Sequence, residues 1–217
     1  MRGLYAITPE TLDTTKLSEK VRAAIAGGVR VVQYRSKRVP PDVVITQASA
    51  LRKVTKATGT LFIVNDNSDL ALIVGADGVH LGREESDERN IFRIRQECAK
   101  HSPLQPFLIG VSCYNELGRA EEAVRVGADY IAFGSFFSSP TKPLAVKADV
   151  ALLRAARPRF RLPIVAIGGI TVSNARQLIS AGVDMVAVIT ALFEANDIER
   201  RAREFTNLFE PGPHVCK

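Results

Sequence analysis

Three cationic side chains, Arg35, Lys37 and Lys142, and two carboxylates, Asp66 and Glu85, stand just beyond short apolar runs of the chain. The stretch Gly134-Ser135-Phe136-Phe137-Ser138-Ser139-Pro140-Thr141-Lys142 is the plainest case. It follows Tyr130-Ile131-Ala132-Phe133 and turns abruptly small, hydroxylic and basic. Backbone donors at Gly and Ser, several hydroxyls and one lysine together suit phosphate or diphosphate oxygens. Taken alone, the same stretch reads as a solvated Ser/Pro turn, Arg35 or Lys37 as a solvated charge, and Asp66 in Asn65-Asp66-Asn67 as a turn or cap residue. Whether these groups share one site depends on the elements that carry them.

Those elements repeat. Leu4 to Ile7 reads as a strand ending in Thr8-Pro9, and Leu17 to Ala26 has helical apolar spacing stopped by Gly27-Gly28. Val29 to Tyr34 is the second strand, running into Arg35-Ser36-Lys37, and 42 to 58 the next helix, with Asp42 as a candidate cap. Leu61 to Val64 and a helix over 68–74 follow, then Gly78 to Leu81 and a helix over about 88–100. Phe107 to Val111 is a strand leading to Ser112-Cys113-Tyr114-Asn115, and 116–126 a helix. After Tyr130 to Phe133, helices over 149–156, 172–181 and 198–208 alternate with strands over 163–167 and 185–189.

Eight strand–helix units with near-continuous apolar strands predict parallel strands covered by helices. In about 200 residues this is a single α/β domain, a (β/α)8 TIM barrel over 1–210, with a loose Pro/Gly-containing tail over 211–217. A doubly wound open sheet is the alternative, but no Gly-x-Gly-x-x-Gly follows the first strand. Glycines recur before the even-numbered strands, in Gly28-Val29, Gly75-Ala76-Asp77, Gly127-Ala128-Asp129 and Gly182-Val183-Asp184. They are read as helix terminators without chemistry of their own.

Composition narrows the function. The 217 residues are 46% hydrophobic and 24% charged, ordinary for a globular chain, and no apolar run has the length of a membrane span or a signal segment. A cytoplasmic protein is expected. Cys98, Cys113 and Cys216 are far apart and form no metal-binding pair, and the three histidines, His80, His101 and His214, form no cluster. His80 is expected inside the barrel with its polar atoms satisfied, and Cys113 is expected to pack rather than attack. A net charge of +6 with dispersed basic residues and no Trp does not suggest a nucleic-acid surface, and an anionic small substrate accounts for it.

Residues before strands are Gly and Ala, whereas those after strands are Thr8, Gln33, Arg35, Lys37, Asn65, Asp66, Glu85, Ser112, Ser139, Thr141, Lys142, Gly168 and Gly169. A barrel gathers the latter on one mouth, where active sites of this fold lie. Arg35, Lys37 and Lys142 then supply positive charge, Asp66 and Glu85 hard oxygen ligands, and Gly169 with the Ile189-Thr190 amides an anion nest. That combination suits a diphosphate, Mg²⁺ and a second phosphate.

The segments Gln33-Tyr34-Arg35-Ser36-Lys37, Asn65-Asp66, Ala76 to Gly82, Gly110-Val111-Ser112, Pro140-Thr141-Lys142 and Ala166 to Ile170 together closely resemble the thiamine-phosphate synthase family, in order and over nearly the whole chain. The resemblance implies a transferase of an alkyl or aryl group. It joins 4-amino-2-methyl-5-hydroxymethylpyrimidine diphosphate to a thiazole phosphate or its carboxylated form, through a dissociative pyrimidine cation, releasing diphosphate. It also implies Mg²⁺ on Asp66 and Glu85. Gln33, Tyr34, Arg35, Ser36, Lys37, Asn65, Ser112 and Lys142 would hold the pyrimidine diphosphate, with Lys142, Arg35, Lys37 and Ser112 as the catalytic groups. Ser139, Pro140, Thr141, Gly169, Ile189 and Thr190 would hold the thiazole phosphate.

Three positions depart from the family's habit. Gly82-Arg83-Glu84-Glu85 stands where Gly-Gln-x-Asp is common, Ser139 where threonine is frequent, and Thr190 where serine is. Two other functions on the same barrel are considered: a thiazole tautomerase-like isomerase, expected to carry a histidine where this chain has Tyr114, and a non-catalytic sensor of a phosphorylated ligand. The expected partners are two phosphorylated small molecules, with no nucleic acid or membrane, and homo-oligomerisation is left open.

Overall fold

A computed structural model describes residues 1–101, 106–138 and 146–210. Eight parallel strands close into a barrel in sequence order: β1 (Gly3–Ile7), β2 (Val31–Tyr34), β3 (Leu61–Asn65), β4 (Gly78–Leu81), β5 (Leu108–Tyr114), β6 (Tyr130–Phe133), β7 (Ile164–Ile167) and β8 (Met185–Val188). The outer layer is α1 (Thr14–Ala26), α2 (Pro41–Thr58), α3 (Ser68–Ile73), α4 (Glu88–His101), α5 (Leu117–Arg125), α6 (Val150–Ala156), α7 (Val172–Ser180), a short α8 (Thr190–Phe193) and α9 (Ile198–Thr206). The expected TIM barrel is present. Among the described residues no helix is long and apolar enough to cross a membrane. The tail from 211 lies outside the described residues.

Several boundaries differ from the sequence reading, each for a local reason. Asp42 does not cap α2: Pro40 holds that position, Pro41 opens the helix, and Asp42 sits in the first turn, where its charge favours the helix N-terminus. The fifth strand runs on to Tyr114, so Ser112 and Tyr114 lie within it, and its register against β6 slips between them. That irregularity explains why the apolar pattern breaks before the strand does. Asp13, Asn67, Asp149 and Asp197 cap α1, α3, α6 and α9 through side-chain oxygens.

Period-two alternation divides the core. Leu4, Ala6, Val32, Tyr34, Phe62 and Val64 face the helical layer, while Tyr5, Ile7, Val31, Ile63, Tyr130, Val165 and Met185 fill the barrel. The two faces of each strand thus belong to different cores.

The recurrent Gly-x-Asp turns close the N-terminal face. Gly28, Gly75, Gly127 and Gly182 all have positive φ, as helix-ending glycines should. The aspartates that follow three of them do more. Asp77 accepts the Phe62 amide at 2.7 Å and both Arg52 guanidinium nitrogens at 2.8 and 2.9 Å. Asp129 accepts from the Ile109 amide and Arg95, and Asp184 from the Ile164 amide and Arg157. Each carboxylate ties an even strand's entry to the preceding odd strand and to an arginine of the helical layer. At the fourth equivalent position stands Arg30, whose amide still bonds Leu4 O.

Replacing Asp77 by Ala strips a partner from the Phe62 amide and unpairs a partly buried arginine. We expect a loss of about 2 kcal/mol of unfolding free energy, the scale of hydrogen bonds to charged groups, read as a lower urea midpoint with an unchanged slope.

Candidate active site

The C-terminal ends of β2, β3 and β4 surround an open cleft of about 440 Å³. Ser36, Asn65, Asp66, Asn67, Glu85 and Arg93 are among its lining residues. Asp66 follows β3 in the left-handed region, φ 59°, a conformation asparagine and aspartate tolerate better than most residues. Its amide donates to His80 O at 2.8 Å, and its Oδ1 accepts the Gly82 amide at 3.1 Å. Asn65 Nδ2 donates to Asp66 Oδ2 at 2.6 Å, and Lys37 Nζ lies 3.7 Å from the same oxygen. The carboxylate is therefore tethered to the ends of β2, β3 and β4.

Glu85 reaches the same place from the β4–α4 connection. A methyl group added at Gly82 would lie 2.8 Å from Glu85 Oε2 and 3.4 Å from Asp66 Oδ1. Two carboxylates thus converge on a space that only a glycine leaves open. Among the described residues no cluster of three or more His, Cys, Asp or Glu side chains could enclose a metal by itself. A pair of carboxylates is the donor set Mg²⁺ takes when substrate phosphates and water complete its octahedron. The residues fit such an ion.

Lys37 flanks this pair, and Glu10 holds the loop that carries it. Arg35 lies 3.9 Å from Glu10 Oε1 and its amide donates to Thr8 Oγ1, while the Lys37 amide donates to Glu10 Oε1 at 2.8 Å. Glu10, between β1 and α1, so organises the basic loop after β2. Ser36 lines the cleft, and its Oγ is buried near the Tyr34 hydroxyl.

Inside the barrel runs a continuous hydrogen-bonded chain. Gln33 Nε2 donates to Tyr5 OH at 2.9 Å, Tyr5 OH and Tyr130 OH are 2.9 Å apart, Tyr130 OH is 3.1 Å from His80 Nδ1, and His80 Nε2 is 2.9 Å from Ser112 Oγ. Burial holds both tyrosine phenols well above their ordinary range, so both stay neutral donors and acceptors. Gly110 makes room for the chain, since a Cβ there would fall 1.9 Å from the Tyr130 ring. His80 is satisfied in the barrel, as its position in the strand suggested.

The family model described as thiamine monophosphate synthase matches residues 4–192. The chain belongs to the thiamine monophosphate synthase family. It is 49% identical over 211 residues to the thiamine-phosphate synthase of Thiobacillus denitrificans, covering 97% of this chain and 96% of that one. It is 46% identical over 217 residues to the thiamine-phosphate synthase of Bordetella pertussis, covering 97% and 96%. A solved structure, thiamine phosphate pyrophosphorylase from Pyrococcus furiosus, superposes with a TM-score of 0.80 at 35% identity, covering 95% of each chain.

Set beside the residues expected from this family, the geometry sorts them. Gln33, Arg35, Ser36, Lys37, Asn65, Asp66, Glu85 and Ser112 stand at the ends of β2 to β5 on the mouth side. Tyr34 differs: its ring packs in the outer core and its hydroxyl donates to Gln47 on α2, so only its backbone faces the mouth. Gly169, at φ 62°, is pressed against the preceding loop, where a Cβ would meet Ser138 O at 2.4 Å. Ile189 and Thr190 form the entry to α8, a helix absent from the sequence reading because it is a single turn. Ser139, Pro140, Thr141 and Lys142 lie outside the described residues.

Sequence reasoning passed over Glu10, Tyr5 and Tyr130. Glu10 stands just past the first strand, like the residues that were selected, and that signal was available. Tyr5 and Tyr130 carried none beyond inward parity, because their partners lie on distant strands. Cys113 points into the outer core with its thiol fully buried and pushed up to about 12 by desolvation. Thiolate, the reactive form, is scarce there at neutral pH. Iodoacetamide at pH 8 should leave Cys113 unmodified in the folded protein and alkylate it after unfolding, as peptide mass spectrometry would report.

Proposed function

We propose that the chain transfers the aminopyrimidine methylene group of a pyrimidine diphosphate to the nitrogen of a thiazole phosphate, forming thiamine phosphate and diphosphate with Mg²⁺ bound. The observation that carries this reading is the convergence of Asp66 and Glu85 over Gly82, beside Lys37, in a family member.

The substrate's own electronics supply the reactivity. The ring amino group donates electrons toward the methylene carbon, so the C–O bond breaks with its electron pair leaving on the diphosphate oxygen. The thiazole nitrogen lone pair then forms the new C–N bond, and no proton need leave. No protein nucleophile is required. The side chains act by stabilising charge on the departing diphosphate and by orientation. Bound Mg²⁺ would neutralise part of that charge, held by Asp66 and Glu85. Arg35 and Lys37 face the same anion from the β2 end, and Ser36 and Asn65 offer it hydrogen bonds.

Gln33 and Ser112 occupy the two ends of the buried hydrogen-bonded chain, which sets their orientation toward the ring. One N–H of the Gln33 amide is committed to Tyr5, which leaves its carbonyl and second N–H for the pyrimidine ring. The backbone at Gly169 and the Ile189-Thr190 entry to α8 would cradle the thiazole phosphate. Lys142 and the Ser139 to Thr141 segment are assigned on the family resemblance alone. Tyr114, where the tautomerase reading expects a histidine, ends β5 with its ring between two arginines, an environment for stacking rather than proton transfer.

Purified protein given both substrates should form thiamine phosphate with Mg²⁺ and none with EDTA, followed by mass spectrometry and diphosphate release. Absence of product with retained thiazole phosphate binding would overturn the transferase reading in favour of a sensor or isomerase. Lys142→Ala should lower single-turnover kcat by about 10²–10³, the typical cost of one donor to a developing anion. An unchanged chemical step would remove Lys142 from the site.

A further inference from the structure

The segment from Gly82 to Ser86, which carries Glu85, is gripped by an arginine on a neighbouring helix. Arg119 of α5 donates from Nε to Ser112 O at 2.8 Å, and from one terminal nitrogen to Ser86 Oγ at 2.8 Å and Gly82 O at 3.4 Å. One guanidinium therefore ties the two ends of the segment together and fastens both to the end of β5. Asn90 Nδ2 holds the Glu85 carbonyl from the other side at 2.6 Å.

A second brace sits alongside. Tyr114, at φ 54°, places its ring 5.7 Å from the Arg119 guanidinium and 4.8 Å from that of Arg83, which in turn pairs with Glu116. Arg83 belongs to the same segment. Planar guanidinium groups suit this combination of stacking and forked donation, which a lysine ammonium does not reproduce. Glutamate has one more rotatable bond than aspartate, so the position of Glu85 Oε2 beside Asp66 depends more heavily on where its backbone is held.

Resting on the reading that Asp66 and Glu85 bind the divalent cation, we propose that Arg119 is the positioning residue of that site: it pins the Gly82 to Ser86 segment so that Glu85 faces Asp66 over Gly82. Arg119 touches neither carboxylate. It sets the distance between them through the backbone.

The test is Mn²⁺ binding in the presence of inorganic diphosphate, followed by electron paramagnetic resonance, on the wild type, Arg119→Ala, Ser86→Ala and Asp66→Asn. Arg119→Ala should weaken Mn²⁺ binding about tenfold, the lower end for groups that orient metal ligands, and raise the Mg²⁺ concentration for half-maximal rate in parallel. The KM for the thiazole phosphate should not move, and saturating Mg²⁺ should restore most of kcat. Ser86→Ala, which removes one acceptor and keeps the anchor at Ser112, should weaken Mn²⁺ about threefold, the scale of a single hydrogen bond. It decides the matter if Arg119→Ala does not fold. Wild-type Mn²⁺ affinity in Ser86→Ala and Arg119→Ala, with loss in Asp66→Asn, would overturn the role of Arg119 and leave the cation site standing. Wild-type affinity in Asp66→Asn would overturn the cation site itself.

Discussion

A barrel of eight short strands has an interior too narrow to admit water freely, so every polar atom placed there must find a protein partner or carry a desolvation cost. The chain from Gln33 through Tyr5, Tyr130 and His80 to Ser112 meets that condition with side chains of five different strands. Its geometry depends on Gly110, the inward position between His80 and Tyr130 in the strand register, being empty. A fully satisfied buried network of this kind is rigid, because moving one member leaves another unpaired. The two mouth residues at its ends inherit that rigidity. Whatever these two residues touch at the mouth is thereby oriented by the barrel itself and not by the loops.

The two ends of the barrel use charge differently. At the N-terminal face, Asp77, Asp129 and Asp184 are each consumed by a backbone amide and an arginine. Their charges are spent on joining strand to strand and sheet to helix. At the mouth, Asp66 and Glu85 converge over Gly82, and Lys37 approaches Asp66 from the loop after β2 at an ion-pair distance too long for a hydrogen bond. Like charges held close and incompletely paired are unfavourable by themselves. A cation and an anion brought by the substrate would relieve both, which is the electrostatic sense of the cleft. The Arg83, Tyr114, Arg119 and Glu116 cluster holds the segment that carries Glu85.

Much of this was legible in the residues. Strands betray themselves by apolar runs of four or five residues, and helices by their caps and glycine stops, because both are set by contacts within a few residues along the chain. Arg35, Lys37, Asp66 and Glu85 could be picked out because the barrel rule converts position after a strand into position at the mouth. The rule does not resolve faces. Tyr34 sits in the middle of the basic motif, yet its ring belongs to the outer core and to Gln47, since adjacent strand residues point to opposite sides. Nor does it resolve bulges: the register slip between Ser112 and Tyr114 extends β5 past the point where its apolar pattern ends.

The sequence by itself determined the eight-fold alternation, the closed barrel it implies, and the set of charged and hydroxylic residues collected at one end. These follow from local periodicity and from the right-handed crossovers that cover parallel strands, the doubly wound open sheet being set aside by the absence of Gly-x-Gly-x-x-Gly after the first strand. Only the tertiary structure decided which of those residues meet. The convergence of Glu85 on Asp66, the grip of Arg119 on Gly82 and Ser86, and the passage of hydrogen bonds from Gln33 to Ser112 each join residues that the chain holds far apart. Their distances depend on strand stagger and on space left by single glycines, quantities that no local pattern encodes.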